Sequence, residues 1–248
     1  MPATDDLAAR LLTARRNRAP FAPRTDDGPT DADQAYAVQW QVTRSLSGGE
    51  RVAHWKVGAA RPTDVPLAAP IPRLCVQPSP ARWSEAPVVA LSIEAEVAFR
   101  VARDIEPASA ATVPAAQAFD RALVTIEVCD TRLRGDAPPL WKLADSLSNA
   151  GLVVGSGGVA PDAPDYAQLR CAVTVDGEPV FDGRGSHPLG DPRVLLPWFI
   201  AHASRHAPLR AGDIVTTGSW CGMVPVHAGA VVAVQFEGVG SAELRVAG

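Results

Sequence analysis

Three glutamates on two apolar segments carry the clearest chemistry in the chain. In Leu91-Ser92-Ile93-Glu94-Ala95-Glu96-Val97-Ala98-Phe99 the period is two: Leu91, Ile93, Ala95, Val97 and Phe99 share one side, and Ser92, Glu94, Glu96 and Ala98 the other. Glutamates at i and i+2 of a strand project together, with Cα atoms roughly 6.5 Å apart. Leu123-Val124-Thr125-Ile126-Glu127-Val128 repeats the logic, with Val124, Ile126 and Val128 on one face and Thr125 and Glu127 on the other. Three carboxylates on apolar-backed strands suit a hard cation, Mg²⁺ or Mn²⁺ rather than Ca²⁺ for a catalyst. Three protein ligands would leave coordination positions open for water and a bidentate substrate. The bland alternative is that Glu94 and Glu96 decorate the solvent face of an antiparallel strand, where such a pattern is common.

Other signals point to weaker chemistry. His202 and His206 are spaced i, i+4 on a predicted helix, but without an HExxH pattern and beside Arg205 they read as a solvated face. Gly155-Ser156-Gly157-Gly158 is a loop without a phosphate-binding pattern, and Gly218-Ser219-Trp220-Cys221-Gly222 places its serine one position too early for a nucleophile elbow. His54 and His187 stand alone and read as structural.

Composition narrows the class. The net charge is -4 and no Lys/Arg run exceeds two residues, which argues against a nucleic-acid partner. No apolar stretch reaches the ~20 residues of a membrane helix, and the acidic start Asp5-Asp6 does not resemble a signal peptide. Cys75, Cys129, Cys171 and Cys221 are widely spaced, so reduced cytoplasmic thiols are expected rather than disulfides or a zinc site.

The elements that must hold the acids follow from periodicity. Leu7, Leu11 and Leu12 predict a first helix behind Asp5 and Asp6. A break over 19–29 precedes a second helix, with Thr30 as the expected N-cap, Ala35, Val38 and Val42 on one face, and Ser47-Gly48-Gly49 as the stop. Seven prolines over 61–87 predict an ordered loop region. Strands are predicted over 88–101, 122–128, 152–154, 170–175, 214–217 and 231–236, with a hairpin turn at Asp176-Gly177 and a helix near 194–206. Strands and helices do not alternate, so the expected class is α+β with a mixed sheet core rather than a doubly wound sheet. Residues 1–75 are expected to form an N-terminal helical and loop region, and 76–248 the metal-binding domain.

The order of motifs resembles the fumarylacetoacetate hydrolase superfamily, and within it the 2-oxopent-4-enoate hydratase and 4-oxalocrotonate decarboxylase branch. The carriers are the two glutamate segments, the second continuing Cys129-Asp130-Thr131-Arg132, together with four others. These are Trp55-Lys56-Val57-Gly58, Ala144-Asp145-Ser146-Leu147-Ser148-Asn149-Ala150-Gly151, Gly183-Arg184-Gly185 through Leu189-Gly190-Asp191-Pro192, and Ala211 through Ser219. The resemblance spans roughly residues 30–245. It implies a mixed β-roll core, Mg²⁺ or Mn²⁺ on Glu94, Glu96 and Glu127, and a homo-oligomer, in some cases complexed with a pathway enzyme. Two departures concern the distal end of the substrate: the stretch Pro62 to Pro80 is shorter and Pro-rich, and Ser146 stands where the family carries Asn.

The chemistry implied is that of a small 2-oxo acid or its enol. Such a molecule offers a carboxylate oxygen and the C2 oxygen as a chelate, so a divalent cation can stabilise the enolate. Hydration of a 2-hydroxy-2,4-dienoate is the leading expectation. Decarboxylation or C–C hydrolysis of a related acylpyruvate-type acid, and a non-catalytic partner subunit, are the alternatives. Lys56 is expected to pair with the substrate carboxylate or enolate, or to carry a proton if burial depresses its pKa. Asp130 and Arg132 are expected as an ion pair behind Glu127, with Arg132 also a candidate substrate contact. Asp145 and Ser148 are candidate catalytic lining, and Ser219 a candidate substrate contact.

Overall fold

In a computed structural model, which describes residues 3–24 and 27–248, two helices precede a pair of curled sheets. The helices are α1 (Ala3–Asn17), α2 (Ala32–Ser47), α3 (Ala115–Ala118), α4 (Pro139–Ala144) and α5 (Leu196–Ala203). The strands are β1 (His54–Gly58), β2 (Leu67–Ile71), β3 (Val76–Pro78), β4 (Ala81–Trp83), β5 (Ser92–Val101), β6 (Phe119–Cys129), β7 (Asn149–Val159), β8 (Arg170–Val175), β9 (Glu178–Arg184), β10 (Ile214–Ser219), β11 (Val224–Pro225), β12 (Val231–Phe236) and β13 (Gly240–Val246). The larger sheet has the order β2-β1-β10-β5-β6-β7-β3, with β11 also on β5; the smaller runs β4-β13-β12-β8-β9. This is the mixed α+β architecture expected.

β5 and β6 lie at the centre of the larger sheet, and their long antiparallel register is the frame of the site. The apolar faces of both strands enter the main core, where Ile93, Ala95, Val97, Phe99, Val124 and Ile126 are fully buried. A second core joins α1 and α2 to α4 through Leu7, Leu11, Ala35, Val38, Trp141 and Leu143. Buried Gln39 of α2 donates to the carbonyls of Ala68 (3.2 Å) and Leu143 (2.9 Å), so the N-terminal helices brace the segment that leads into residues 145–149.

Several expectations are corrected. The N-cap of α2 is Asp31, whose side chain accepts from Gln34 N at 2.8 Å; Thr30 lies one position outside and pairs with the Gln34 side chain. The prolines of 61–87 do not make a continuous loop. Edge strands tolerate proline because half of their N–H groups need no partner, and β2, β3 and β4 all form at sheet edges. The boundary at 75/76 is not one the sheets observe, because β1 and β2 lie in the same sheet as β5. His202 does not lie on a solvated face: it is buried and stacked on Trp198 at 4.6 Å. Of the 19–29 break, residues 25 and 26 lie outside the described residues. The expected hairpin does form, joining β8 and β9, with Asp176 (φ 55°) and Gly177 (φ 84°) both in the left-handed region that a type I′ turn requires. Among the described residues no helix is long and apolar enough to cross a membrane.

Candidate metal centre

The β5–β6 register sets Glu94 directly opposite Glu127, and Glu96 opposite Thr125. Like charges facing each other across a ladder are destabilising. Here they are also out of water: Glu127 is fully buried, Glu96 1 % exposed, and Glu94 partly covered. The solvent-face reading of these acids therefore fails, because the face opposite the core is itself covered.

Neighbouring strands complete the surroundings. β1 runs parallel to β10, with Lys56 in register with Thr216. Lys56 Nζ reaches Glu127 Oε1 in a buried ion pair and donates to the Leu147 carbonyl at 3.2 Å. Asn149 Nδ2 donates to the same Glu127 oxygen at 3.0 Å. Thr216 Oγ1 hydrogen-bonds Glu96 Oε2 and, at 2.7 Å, Thr125 Oγ1. β10 bulges between Thr216 and Ser219, and the bulge turns the Gly218 N–H onto Glu96 Oε2 at 3.0 Å. Gly218 sits at φ 100°, a conformation in which glycine alone is unstrained.

The expected trio is only partly drawn together. Ligand atoms of Glu94 and Glu127 meet within 4.8 Å, and the third donor among them is Cys129 Sγ, which donates to Glu94 Oε2 at 3.7 Å. Glu96 turns instead to Thr216 and Gly218, which offer it donors away from two like charges.

Electrostatics make this cluster unlike an ordinary ion pair. Burial pushes Glu96 up to about 8, reinforced by Glu127 and Glu94 and opposed by Lys56 and Thr216. Burial and Glu127 raise Glu94 as well. Burial would depress Lys56, yet Glu127, Cys129, Glu94 and Glu96 together raise it above its ordinary value. The depressed value that a proton-carrier role requires is not what these neighbours give Lys56. Burial and Glu127 also push the Cys129 thiol well up. Glu127 Oε2 is buried without a hydrogen-bond partner. An orphaned carboxylate oxygen, hard oxygen donors and three acids against one ammonium fit a divalent cation of the Mg²⁺ or Mn²⁺ type.

Behind the acids lies a closed network. Arg132 pairs with Asp145, not with Asp130: its Nε donates to Asp145 Oδ1 at 2.6 Å, and its backbone N–H and Thr131 Oγ1 both donate to Oδ2 at 2.9 Å. Arg132 also donates to the carbonyls of Asp130, Asn149 and Asp145. Asp130 is taken up by the N–H groups of Val89 and Ala90, at 3.0 and 3.3 Å. The expected Asp130–Arg132 ion pair is therefore absent, since both carboxylates have nearer donors. Ser146, Leu147 and Ser148 are all left-handed, at φ 54°, 55° and 63°. Three such non-glycine residues cost roughly 1–2 kcal/mol each. The strained turn delivers the Leu147 carbonyl to Lys56, and the Ser148 backbone bonds Asp130 and Asp145.

A cavity of about 680 Å³ opens above the acids and is lined by Lys56, Glu94, Glu96, Leu147 and Ser219 among others. Asp145, Ser148 and Arg132 do not line it; Arg132 and Asp145 border a separate small crevice. Ser219 Oγ is on the wall and donates to the Gly222 carbonyl at 3.0 Å. Thr216, Asn149 and the Gly218 N–H escaped the sequence reading. All three lie within segments that carry the family resemblance, but no local pattern shows that they meet the glutamates. His187 is structural as expected: Nε2 meets the Thr217 carbonyl (2.9 Å), Nδ1 accepts from Leu189 N (3.2 Å), and burial lowers its pKa.

Residues 59–247 match the family model of the fumarylacetoacetate hydrolase C-terminal domain. The 2-keto-4-pentenoate hydratase of Paraburkholderia phymatum is 34% identical over 96% of this chain and 95% of its own length. That of Burkholderia vietnamiensis is also 34% identical, over 95% and 94%. In fold, the chain is similar to 4-oxalocrotonate decarboxylase from Pseudomonas putida G7, solved in complex with magnesium and adipate. The TM-score is 0.84 at 23% identity, covering 98% of this chain and 97% of that one. On the match of its sequence to the family model and to these relatives, the chain belongs to the fumarylacetoacetate hydrolase family.

Proposed function

We propose that the protein is a divalent-metal-dependent hydratase that adds water to a 2-hydroxy-2,4-dienoate, or its 2-oxo-4-enoate tautomer, to give a 4-hydroxy-2-oxo acid. The observation that carries this reading is the buried Glu94–Glu127–Glu96 cluster, with its orphaned Glu127 oxygen, beneath a cavity of substrate size. Relatives bearing the 2-keto-4-pentenoate hydratase name over nearly the whole length support it.

Glu94, Glu96 and Glu127 would hold the cation, Glu96 by leaving Thr216. Bound there, Mg²⁺ or Mn²⁺ would supply Lewis-acid polarisation of the substrate's C2 oxygen. The protein's own groups do the rest. Lys56, held protonated and fixed by Glu127 and the Leu147 carbonyl, offsets part of the anionic charge near the substrate carboxylate. Ser219 contributes a hydroxyl on the cavity wall. Asp145 acts as a positioning residue: it fixes Arg132, which holds the Asn149 carbonyl while the Asn149 amide orients Glu127. The Ser148 backbone ties the strained turn to Asp130, and Arg132 acts from behind the site rather than on the substrate. A cytoplasmic homo-oligomer is the assembly we expect, which native mass measurement tests.

Incubation of the purified protein and Mg²⁺ with 2-hydroxypenta-2,4-dienoate should bleach the dienol absorbance and add the mass of water. Loss of CO₂ or C–C cleavage would instead assign the decarboxylase or hydrolase reading. Calorimetry with Mn²⁺ should show binding to the wild type and a large loss in Glu96→Gln. Equal binding to both, or none to either, would remove the metal reading and favour a non-catalytic subunit.

A further inference from the structure

The far wall of the cavity differs in character from its acidic floor. Apart from Glu94 and Glu96, the charged lining consists of Lys56, already paired with Glu127, and Asp64. Asp64 sits on the β1–β2 connection at the rim. Its carboxylate is taken up by Arg61, whose Nε and Nη2 lie 2.9–3.2 Å away, and that pair is neutral as a whole. Arg61 itself is 76% exposed and is not part of the lining. The remaining wall is mainly apolar, with Ala60, Val65, Leu67, Leu147 and Pro188 among its residues. Val65 is 74% exposed at the cavity mouth.

A substrate ending in a second carboxylate would find no free cation among the lining residues, since Lys56 is held by Glu127 and Asp64 is already paired with Arg61. A substrate ending in hydrocarbon would cover Val65 and its neighbours and release water from them. At about 680 Å³ the cavity falls within the range that holds drug-sized ligands, well beyond what a five-carbon acid occupies.

We infer that the physiological substrate is a monocarboxylic 2-hydroxy-2,4-dienoate with an apolar extension beyond C5, bound through its tail by the β1–β2 connection and Pro188, and that dicarboxylic analogues are excluded. This rests on the reading that the acid floor takes the 2-oxo acid end. It goes further in assigning a distal subsite in which Val65 is a specificity-determining residue.

The subsite can be measured without turnover. With Mn²⁺ present, calorimetry on the full-length protein would compare 2-oxopentanoate, 2-oxohexanoate, 2-oxooctanoate and 2-oxohexanedioate. 2-Oxooctanoate should bind on the order of tenfold tighter than 2-oxopentanoate, since three added methylenes each contribute about twofold when half covered. 2-Oxohexanedioate should bind at least about tenfold more weakly than 2-oxohexanoate, because its second carboxylate is left unpaired. Val65→Arg, at an exposed position that the fold does not depend on, should narrow or reverse the monoacid–diacid order while leaving 2-oxopentanoate unchanged. A diacid that binds the wild type as tightly as its monoacid match, or a flat chain-length series, overturns the inference. A rising series with no hydration of any dienol keeps the subsite and removes the hydratase reading. Hydration of the five-carbon dienol with a flat series does the reverse. No binding of any of the four acids removes both.

Discussion

Two buried ionic clusters lie on either side of Asn149, and they are built to opposite rules. In the Arg132–Asp145 cluster both carboxylate oxygens receive donors, and the guanidinium spends its N–H groups on Asp145 and three carbonyls. Burial raises Asp145 against the pull of Arg132, which is the ordinary desolvation cost of such a pair. In the Lys56–Glu127 cluster one ammonium faces three carboxylates, one oxygen of Glu127 has no partner, and Glu96 is pushed up to about 8. A charge arrangement whose partners are complete is costly to break. One left with an unpartnered oxygen at the floor of a cavity is the arrangement on which the proposed metal site rests.

The contrast is broken most sharply by single substitutions. Glu94→Gln should lower kcat/KM by on the order of 10³-fold, as expected when an electrostatic element of the transition state is lost. The thermal midpoint of its metal-free form should hold or rise, because a repulsion has been removed. Asp145→Ala should do the opposite, costing about 3–5 kcal/mol of stability by leaving Arg132 buried and unpaired. Denaturant titration of both variants checks the pair, and a large stability loss in Glu94→Gln would erase the distinction.

Proton linkage sharpens the same point with a smaller effect. Glu96 in the folded, metal-free chain holds a proton up to about 8, whereas the unfolded chain releases it near 4.5. Its contribution to stability is therefore complete at low pH and is lost as pH rises through that range. His54 and His202, lowered to about 4 chiefly by burial, act in the opposite sense below 6.5. Above pH 6.5 Glu96 acts in the same sense as Glu94, raised chiefly by burial, and as exposed His227, raised by the Ala228 carbonyl and Asp176. Melting temperatures of the metal-free protein should fall from pH 6.5 to 8, and the slope should shrink in Glu96→Gln or with saturating Mn²⁺.

The smallest effect concerns the turn between the clusters. Ser146→Asn places at φ 54° a residue that tolerates the left-handed region better, and should stabilise by less than about 1 kcal/mol without changing metal affinity. A destabilised Ser146→Asn would mean that the serine hydroxyl has a role of its own.

What was legible in the sequence is local. Period-two alternation identified β5 and β6 and put Glu94, Glu96 and Glu127 on the faces opposite the apolar ones, because side-chain direction in a strand is fixed by parity alone. The Asp-Gly turn was legible for the same reason, since its backbone requirement belongs to two adjacent residues. Which partners those side chains meet was decided by register and by crossover. Glu94 opposite Glu127, Lys56 brought in on a parallel strand beside Thr216 of β10, and Arg132 given to Asp145 instead of Asp130 all join residues 13 to 160 positions apart. The proline-rich stretch was misread because edge position, which makes proline acceptable in a strand, is a property of the assembled sheet. The sequence by itself determined that this chain carries carboxylates fit for a hard cation. Only the tertiary structure decided that they are buried, over-charged and roofed by an apolar wall, because burial and Coulomb energy depend on distances between strands that no local pattern contains.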